Sequence, residues 1–385
     1  MRYSRSQAAR FAVGLAAPLA LAAPLLVGGI TELAPASAAT AAPCVSLTGG
    51  TPFVPSTTDN TFTGVTEISP CDVWAVGFDL SGGADETLTE HWNGFVWDEV
   101  ISPSPGPSGS VLEDVRAISS NDVWAVGSFA DSSGQQNTLA LHWNGSQWTQ
   151  MSTPNPPNTF SQLRAVRAVS SNDVWAVGSS FSNATGFQTL IEHWNGTQWS
   201  VVRSPNPGAP STNNTLLGLA VTSTRNAWAV GTSSTATADH TLILHWNGTS
   251  WTQATSPTPD GSDQLRSASA TSASNAWAVG ASSDGTKTLI LHWNGTSWKQ
   301  VASPSPTADN GLFGVAATSA SNAWSVGFTG TSTLILAWNG TKWAKIPSPA
   351  GDQLNSVAGI SASNAWAVGD ALASGVRQPL AIHCC

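Results

Sequence analysis

Asp122-Val123-Trp124-Ala125-Val126-Gly127, followed by His142-Trp143-Asn144-Gly145-Ser146-Gln147-Trp148, is a pair of phrases that recurs along most of this chain. The first phrase centres on Trp74, Trp124, Trp175, Trp228, Trp277, Trp324 (with Ser325 in place of alanine) and Trp366. The second follows at Trp92, Trp143, Trp194, Trp246, Trp293 and Trp338, where Ala337 replaces histidine. Copies of the first phrase lie 42 to 53 residues apart. Self-similarity at that period marks an array of supersecondary units and has to be read before anything else.

One unit, residues 111–155, shows how the phrases fold. Val111 to Ser119 alternates in polarity, and Ser119-Ser120-Asn121-Asp122 turns the chain. Asp122 to Gly127 is a second short strand, Ser128 to Asn137 a polar loop and Thr138 to Trp143 a third strand. Asn144-Gly145 is a hairpin signal, because both residue types tolerate positive φ, and Trp148 to Ser152 is a fourth strand. Proline, glycine and serine break every run before two helical turns accumulate. Four strands in about 48 residues match one β-propeller blade. The expectation is an all-β, seven-bladed propeller of four-stranded antiparallel blades.

Strands two and three are apolar on both faces. In Thr241 to Trp246, Leu242, Leu244 and Trp246 point one way, Ile243 and His245 the other. A sheet covered on both sides reads like this. Blades stacked around an axis supply the cover, and each tryptophan removes roughly 150–250 Å² from water.

The ends look complementary. The last blade has strands at Leu354 to Ile360, Asn364 to Gly369 and Gln378 to His383, with no fourth. Pro52 to Ser56 reads as the missing strand, closing the ring and hiding a sheet edge. Cys44, Cys71, Cys384 and Cys385 all map to that seam. In an exported chain they predict two disulfides, each joining Cys44 or Cys71 to a C-terminal cysteine, in an order that cannot be derived. A reactive or metal-binding cluster is the alternative.

Arg2, Arg5 and Arg10 precede an apolar run from Phe11 to Ile30, and Ala36-Ser37-Ala38 offers a small-residue cleavage pattern. Residues 1–38 therefore read as a secretory signal, 39–51 as a lead-in and 52–385 as the propeller. An uncleaved anchor is the alternative. The expected product is secreted and monomeric, with no membrane insertion after cleavage. Only 10% of residues are charged and the formal net charge is -9. That argues against nucleic acid, whose binding needs cations to displace counterions.

The pattern resembles secreted bacterial β-propeller proteins built from Asp-Val-Trp-Ala-Val-Gly and His-Trp-Asn-Gly-Thr-x-Trp repeats. More loosely it is similar to kelch and galactose-oxidase propellers. The likeness covers about residues 52–383 and implies architecture, with no activity attached. The Trp-Asp of WD repeats, the paired glycines of kelch and the sialidase box are missing from these blades.

Candidate chemistry is sparse. His91, His142, His193, His245, His292 and His383 share one repeat position. They pair in register with Asp72, Asp122, Asp173, Asn226, Asn275 and Asn364, which predicts one structural hydrogen bond per blade beside a tryptophan. Such donors are spread around a ring, whereas a metal needs them converging, so no metal or cofactor is expected. His240 falls in a loop.

Trp97, Trp148, Trp199, Trp251, Trp298 and Trp343 open the outer strands. They either pair across the strand or stack on sugars. The Asn-Gly-Ser/Thr tracts at Asn144, Asn195, Asn247, Asn294 and Asn339 read as hairpins before glycosylation sites. The only tyrosine is Tyr3, and no motif pairs Glu90, Glu113, Asp114 or Glu192 for glycoside cleavage.

The variable connections fall on one face of the ring, and any ligand is placed there, around the channel mouth. The acidic residues on that face (Asp79, Asp85, Glu86, Asp131, Asp239, Asp260, Asp263 and Asp284) read as solvated loop charge or as an attractor for cations. The leading reading is a non-catalytic scaffold binding extracellular protein or polysaccharide. The alternatives are a lectin with repeated sites and a polysaccharide-cleaving enzyme with two carboxylates at the mouth.

Overall fold

The computed structural model describes residues 59–81, 83–208 and 212–384. Seven antiparallel sheets follow one another along the chain, each a blade of the propeller. Blade two shows the plan, with an inner strand at Ser110–Ser119, a second at Asp122–Ala130, a third at Gln136–Trp143 and an outer strand at Trp148–Met151. The described residues contain no helix. Blade seven shows three strands, and the proposed fourth at Pro52 to Ser56 lies outside the described residues.

The repeated tryptophan of each first phrase is a wedge between neighbours. Trp74 of blade one meets Trp143 and Trp148 of blade two at 4.9 and 5.2 Å, the second edge-on. Trp124, Trp175, Trp228 and Trp277 repeat this against blades three to six. Trp366 of blade seven does the same to Trp92 and Trp97 of blade one, and this contact closes the ring. Each wedge indole N–H lacks a hydrogen-bond partner among the described residues. That costs about 1–3 kcal/mol. Burying the ring returns roughly 4–6 kcal/mol at about 25 cal/mol per Å², so burial wins.

Hydrogen bonds reinforce the seam. Thr61 Oγ1 donates to Asp370 Oδ1 at 3.1 Å, the Arg377 amide to Asp59 Oδ1 at 2.7 Å, and Asn355 Nδ2 to the Phe62 carbonyl at 2.7 Å.

Two local features depart from the simple strand reading. The hairpins before the outer strands take four residues, with the Asn144 amide bonded to the Gln147 carbonyl. Only the glycine has positive φ (93° at Gly145), whereas Asn144 is used for its side-chain oxygen, which accepts the amides of Ser146 and Gln147. Every inner strand also carries a β-bulge. Pairing skips Thr63, Glu113, Arg164, Leu217, Arg266, Phe313 and Asn355 in blades one to seven. The bulge explains the glycine that ends the first phrase. A Cβ on Gly77, Gly127, Gly178, Gly231, Gly280, Gly327 or Gly369 would overlap the carbonyl oxygen two residues before the bulge.

Candidate functional site

A bulge adds one unpaired residue and re-aims its side chain. Here it turns seven side chains into the central channel, at the end where the inner strands begin. That end also carries the connections between blades and the loops between strands two and three. The two sets bond directly, as in the Ala130 amide to the Gly109 carbonyl at 2.8 Å and the Gly330 amide to the Asp309 carbonyl at 2.7 Å. The mouth holds a cavity of about 450 Å³, lined by all seven inner strands with Phe78, Asp370 and Arg377 from second and third strands. A smaller space of about 100 Å³ lies around Glu67, Arg116 and Arg167.

The mouth concentrates charge that the overall composition hides. Beyond residue 38 the chain has seven arginines, and five of them (Arg116, Arg164, Arg167, Arg266 and Arg377) line these two spaces. Three have carboxylate partners. Arg164 Nη1 lies 2.6 Å from Glu113 Oε1, Arg167 Nη1 lies 2.6 Å from Asp114 Oδ2, and Arg377 pairs with the buried Asp370. Arg266 has none among the described residues. Its guanidinium carbon lies 5.1 Å from the centre of the Phe313 ring, and Nη2 reaches Gln264 Oε1 only at 3.4 Å.

Burial is the largest influence on the ionisation of Arg266, Arg116, Glu113 and Glu67. It lowers Arg266, with the nearby Arg164 charge adding to the effect. It lowers Arg116 to about 10, with Arg167 contributing and Asp114 opposing. It raises Glu113, against the pull of Arg164 and with a push from Asp114. Glu67 is raised to about 8 by burial, and neither of its oxygens has a hydrogen-bond partner among the described residues.

The repeated histidines lie away from the mouth, at the far ends of the third strands. Nε2 of His91, His142 and His193 donates to Asp72, Asp122 and Asp173 at 2.8–2.9 Å. His245, His292 and His383 meet Asn226, Asn275 and Asn364 at 2.7–2.9 Å. Each imidazole packs on its own blade's wedge tryptophan with centroids 4.1–4.7 Å apart. In blade six, where Ala337 replaces histidine, Asn322 Oδ1 accepts the Thr318 hydroxyl at 2.5 Å instead. Burial would raise Asp72, but hydrogen bonds from His91 and Ser120 outweigh it and lower its pKa. The exposed His240, expected in a loop, is the second residue of the third strand of blade four, which starts at Asp239.

The sugar-stacking alternative for Trp97, Trp148, Trp199, Trp251, Trp298 and Trp343 does not fit their placement, since each is only 4–5% exposed. Their rings turn inward against the preceding blade's wedge and face their cross-strand tryptophans in register, as at Trp143 and Trp148. Cys71 is disulfide-bonded. Cys44, Cys385 and the side chain of Cys384 lie outside the described residues.

Several acidic loop residues are tied up within or between the loops. Asp131 accepts the Ser133 and Gln135 amides, Asp260 pairs with Lys287 at 2.6 Å, and Asp284 is held down to about 2 by hydrogen bonds from Ser282 and Thr286. No group of three histidine, cysteine or carboxylate side chains among the described residues is placed to hold a metal.

Sequence reading missed the arginine mouth. The signal was available at the position after Phe62, Leu112, Leu163, Leu216, Leu265, Leu312 and Leu354, the one inner-strand site that differs in nearly every copy.

No family model and no curated protein matches the chain. Solved structures match in fold. YCF48 bound to D1 peptide is 16% identical, with a TM-score of 0.53 over 88% of this chain and 100% of that one. The WD40 propeller domain of Doa1 is 11% identical, with a TM-score of 0.55 over 87% and 96%. An ulvan lyase of a polysaccharide lyase family, bound to a GlcA-Rha3S unit, is 9% identical, with a TM-score of 0.54 over 85% and 94%. At these identities the likeness is one of architecture: the chain folds as a seven-bladed β-propeller.

Proposed function

We propose that this protein is an exported, non-catalytic scaffold that binds a partner protein through the channel mouth and the loops around it. One observation carries the reading. Packing positions repeat from blade to blade, whereas the seven bulge side chains comprise two cations, an anion, two apolar groups and two neutral polar groups. Hydrogen bonds tie Thr63 and Asn355 to neighbouring blades, but core packing does not fix the other five positions, so drift alone would vary them. Drift gives no reason for guanidinium groups to gather in one cavity at a cost in desolvation and mutual repulsion. The leader reading of residues 1–38 places the partner outside the cell.

Affinity capture on the exported protein tests this, with a variant carrying Glu113→Gln, Arg164→Gln and Arg266→Gln alongside. A protein held by the first and lost by the second is expected. Equal retention on both would move the site off the mouth. Retention of glycans in place of protein would substitute the polysaccharide reading.

A polysaccharide-cleaving enzyme is the second reading. It draws on Glu113, raised by burial, beside Asp114 in the same mouth. Against it, both carboxylates are held by arginines. Loss of cleavage in Glu113→Gln, on any polysaccharide the parent cleaves, would establish it.

A further inference from the structure

We infer that the channel mouth is a receptor for one carboxylate on a short carbon stem, gripped between Arg164 and Arg266. The inference rests on the mouth being the recognition surface and adds the chemistry of what enters it. Arg164 and Arg266 project from equivalent bulges on blades three and five, with Leu217 of blade four between them. They are near enough for the charge of one to weaken that of the other.

Both have N–H groups to spare. Arg164 uses Nη1 on Glu113 and Nη2 on Gln162, but its buried Nε has no partner among the described residues. Arg266 holds no carboxylate and rests on the Phe313 ring. Two cations lining one cavity are relieved by an anion that bonds to both, and the guanidinium fork suits a carboxylate.

The surroundings narrow the choice. Leu217 and Phe313 offer apolar surface for methylene groups beside the charged end. Glu113 and Asp370 share the cavity and disfavour a doubly charged group such as phosphate. A volume of about 450 Å³ lies in the lower part of the range for small-ligand sites. Inner strands close in below, where a Cβ on Gly218 would come within 2.6 Å of Ser267 Cα. An end group enters such a funnel more readily than a polymer passes through it.

Titration calorimetry on the exported protein tests the inference, with glutarate, its diamide, inorganic phosphate and the blocked tripeptide acetyl-Gly-Glu-Gly-amide. Glutarate and the peptide are expected to bind, more weakly as salt rises, while the diamide does not. Arg266→Gln removes no ion pair, and an unchanged thermal melt is expected of it. It should weaken binding about ten- to a hundredfold, whereas Arg203→Gln, exposed in the connection that follows the outer strand of blade three, should not. A peptide at least about tenfold tighter than glutarate makes the source a partner protein. The reverse order makes it a free metabolite. Equal binding of the diamide, preference for phosphate, no heat from either carboxylate, or unchanged affinity in Arg266→Gln overturns the inference. In each of those cases the partner-capture result stands independently.

Discussion

Glu192 lies in the third strand of blade three, where blades two, four, five and six carry Leu141, Leu244, Leu291 and Leu336. It is fully buried. By strand alternation it shares a face with Leu190 and Trp194, which pack against Trp124 and Ala140 of blade two. Neither carboxyl oxygen has a hydrogen-bond partner among the described residues. The nearby Thr138 hydroxyl lowers the pKa slightly, but it is committed to Thr153 and Asn155. Burial therefore dominates and raises the pKa from 4.5 to about 8.

The folded state thus keeps a proton that the unfolded chain loses above pH 4.5. Stability falls as pH rises from there and levels off above pH 8. At about 1.4 kcal/mol per unit, the loss is about 3 kcal/mol at pH 7 and 4–5 kcal/mol above pH 8. Glu192→Leu removes the ionisable group and installs the side chain the neighbouring blades use. Thermal melting of parent and variant from pH 5 to pH 9 isolates this one group, because other titrations cancel in the difference. The variant should gain little at pH 5 and about 5 °C at pH 8, at roughly 1–2 °C per kcal/mol for a ring this large. Glu192→Gln should flatten the pH dependence in the same way. A difference that stays constant with pH, or a parent that melts higher at pH 8, refutes the reasoning.

Trp277→Ala empties a wedge position between blades five and six and should cost about 3–5 kcal/mol in denaturant titration. Gly231→Ala drives a methyl group into the Thr215 carbonyl and should cost about 1–3 kcal/mol; an unchanged midpoint would show that the bulge gives way. Peptide mapping without reduction should join Cys71 to Cys384 or Cys385, and Cys44 to the other. A Cys44 to Cys71 link would remove the seam from the disulfide scheme.

The ring was legible because its determinants are local and repeated. Phrase spacing set the blade count, and apolar residues on both strand faces implied sheets covered on both sides. The partners of the histidines followed from antiparallel register alone. The mouth was not legible, because strict alternation assigns side chains to two faces and has no place for an extra residue. The bulge that turns Arg164 and Arg266 into the channel depends on how tightly seven inner strands crowd one axis, a property of the closed ring that no single repeat contains. The cross-strand pairing expected of the outer tryptophans holds, but their contact with the previous blade was not legible, for a related reason. An edge strand of three or four residues suggests exposure, but the ring of Trp148 reaches back under Trp74 of the previous blade.

Because every bulge delivers its side chain to the same opening while the wedges stand elsewhere, the opening can be re-dialled without disturbing the frame. Randomising only codons 113, 164, 217, 266 and 313, and keeping Thr63 and Asn355 for their bonds to neighbouring blades, would give a library in which each member presents a different constellation on one unchanged wheel. The same separation gives gene duplication a cheap route to new binding habits: a copied blade arrives with its fit to its neighbours already made and one free letter to spell.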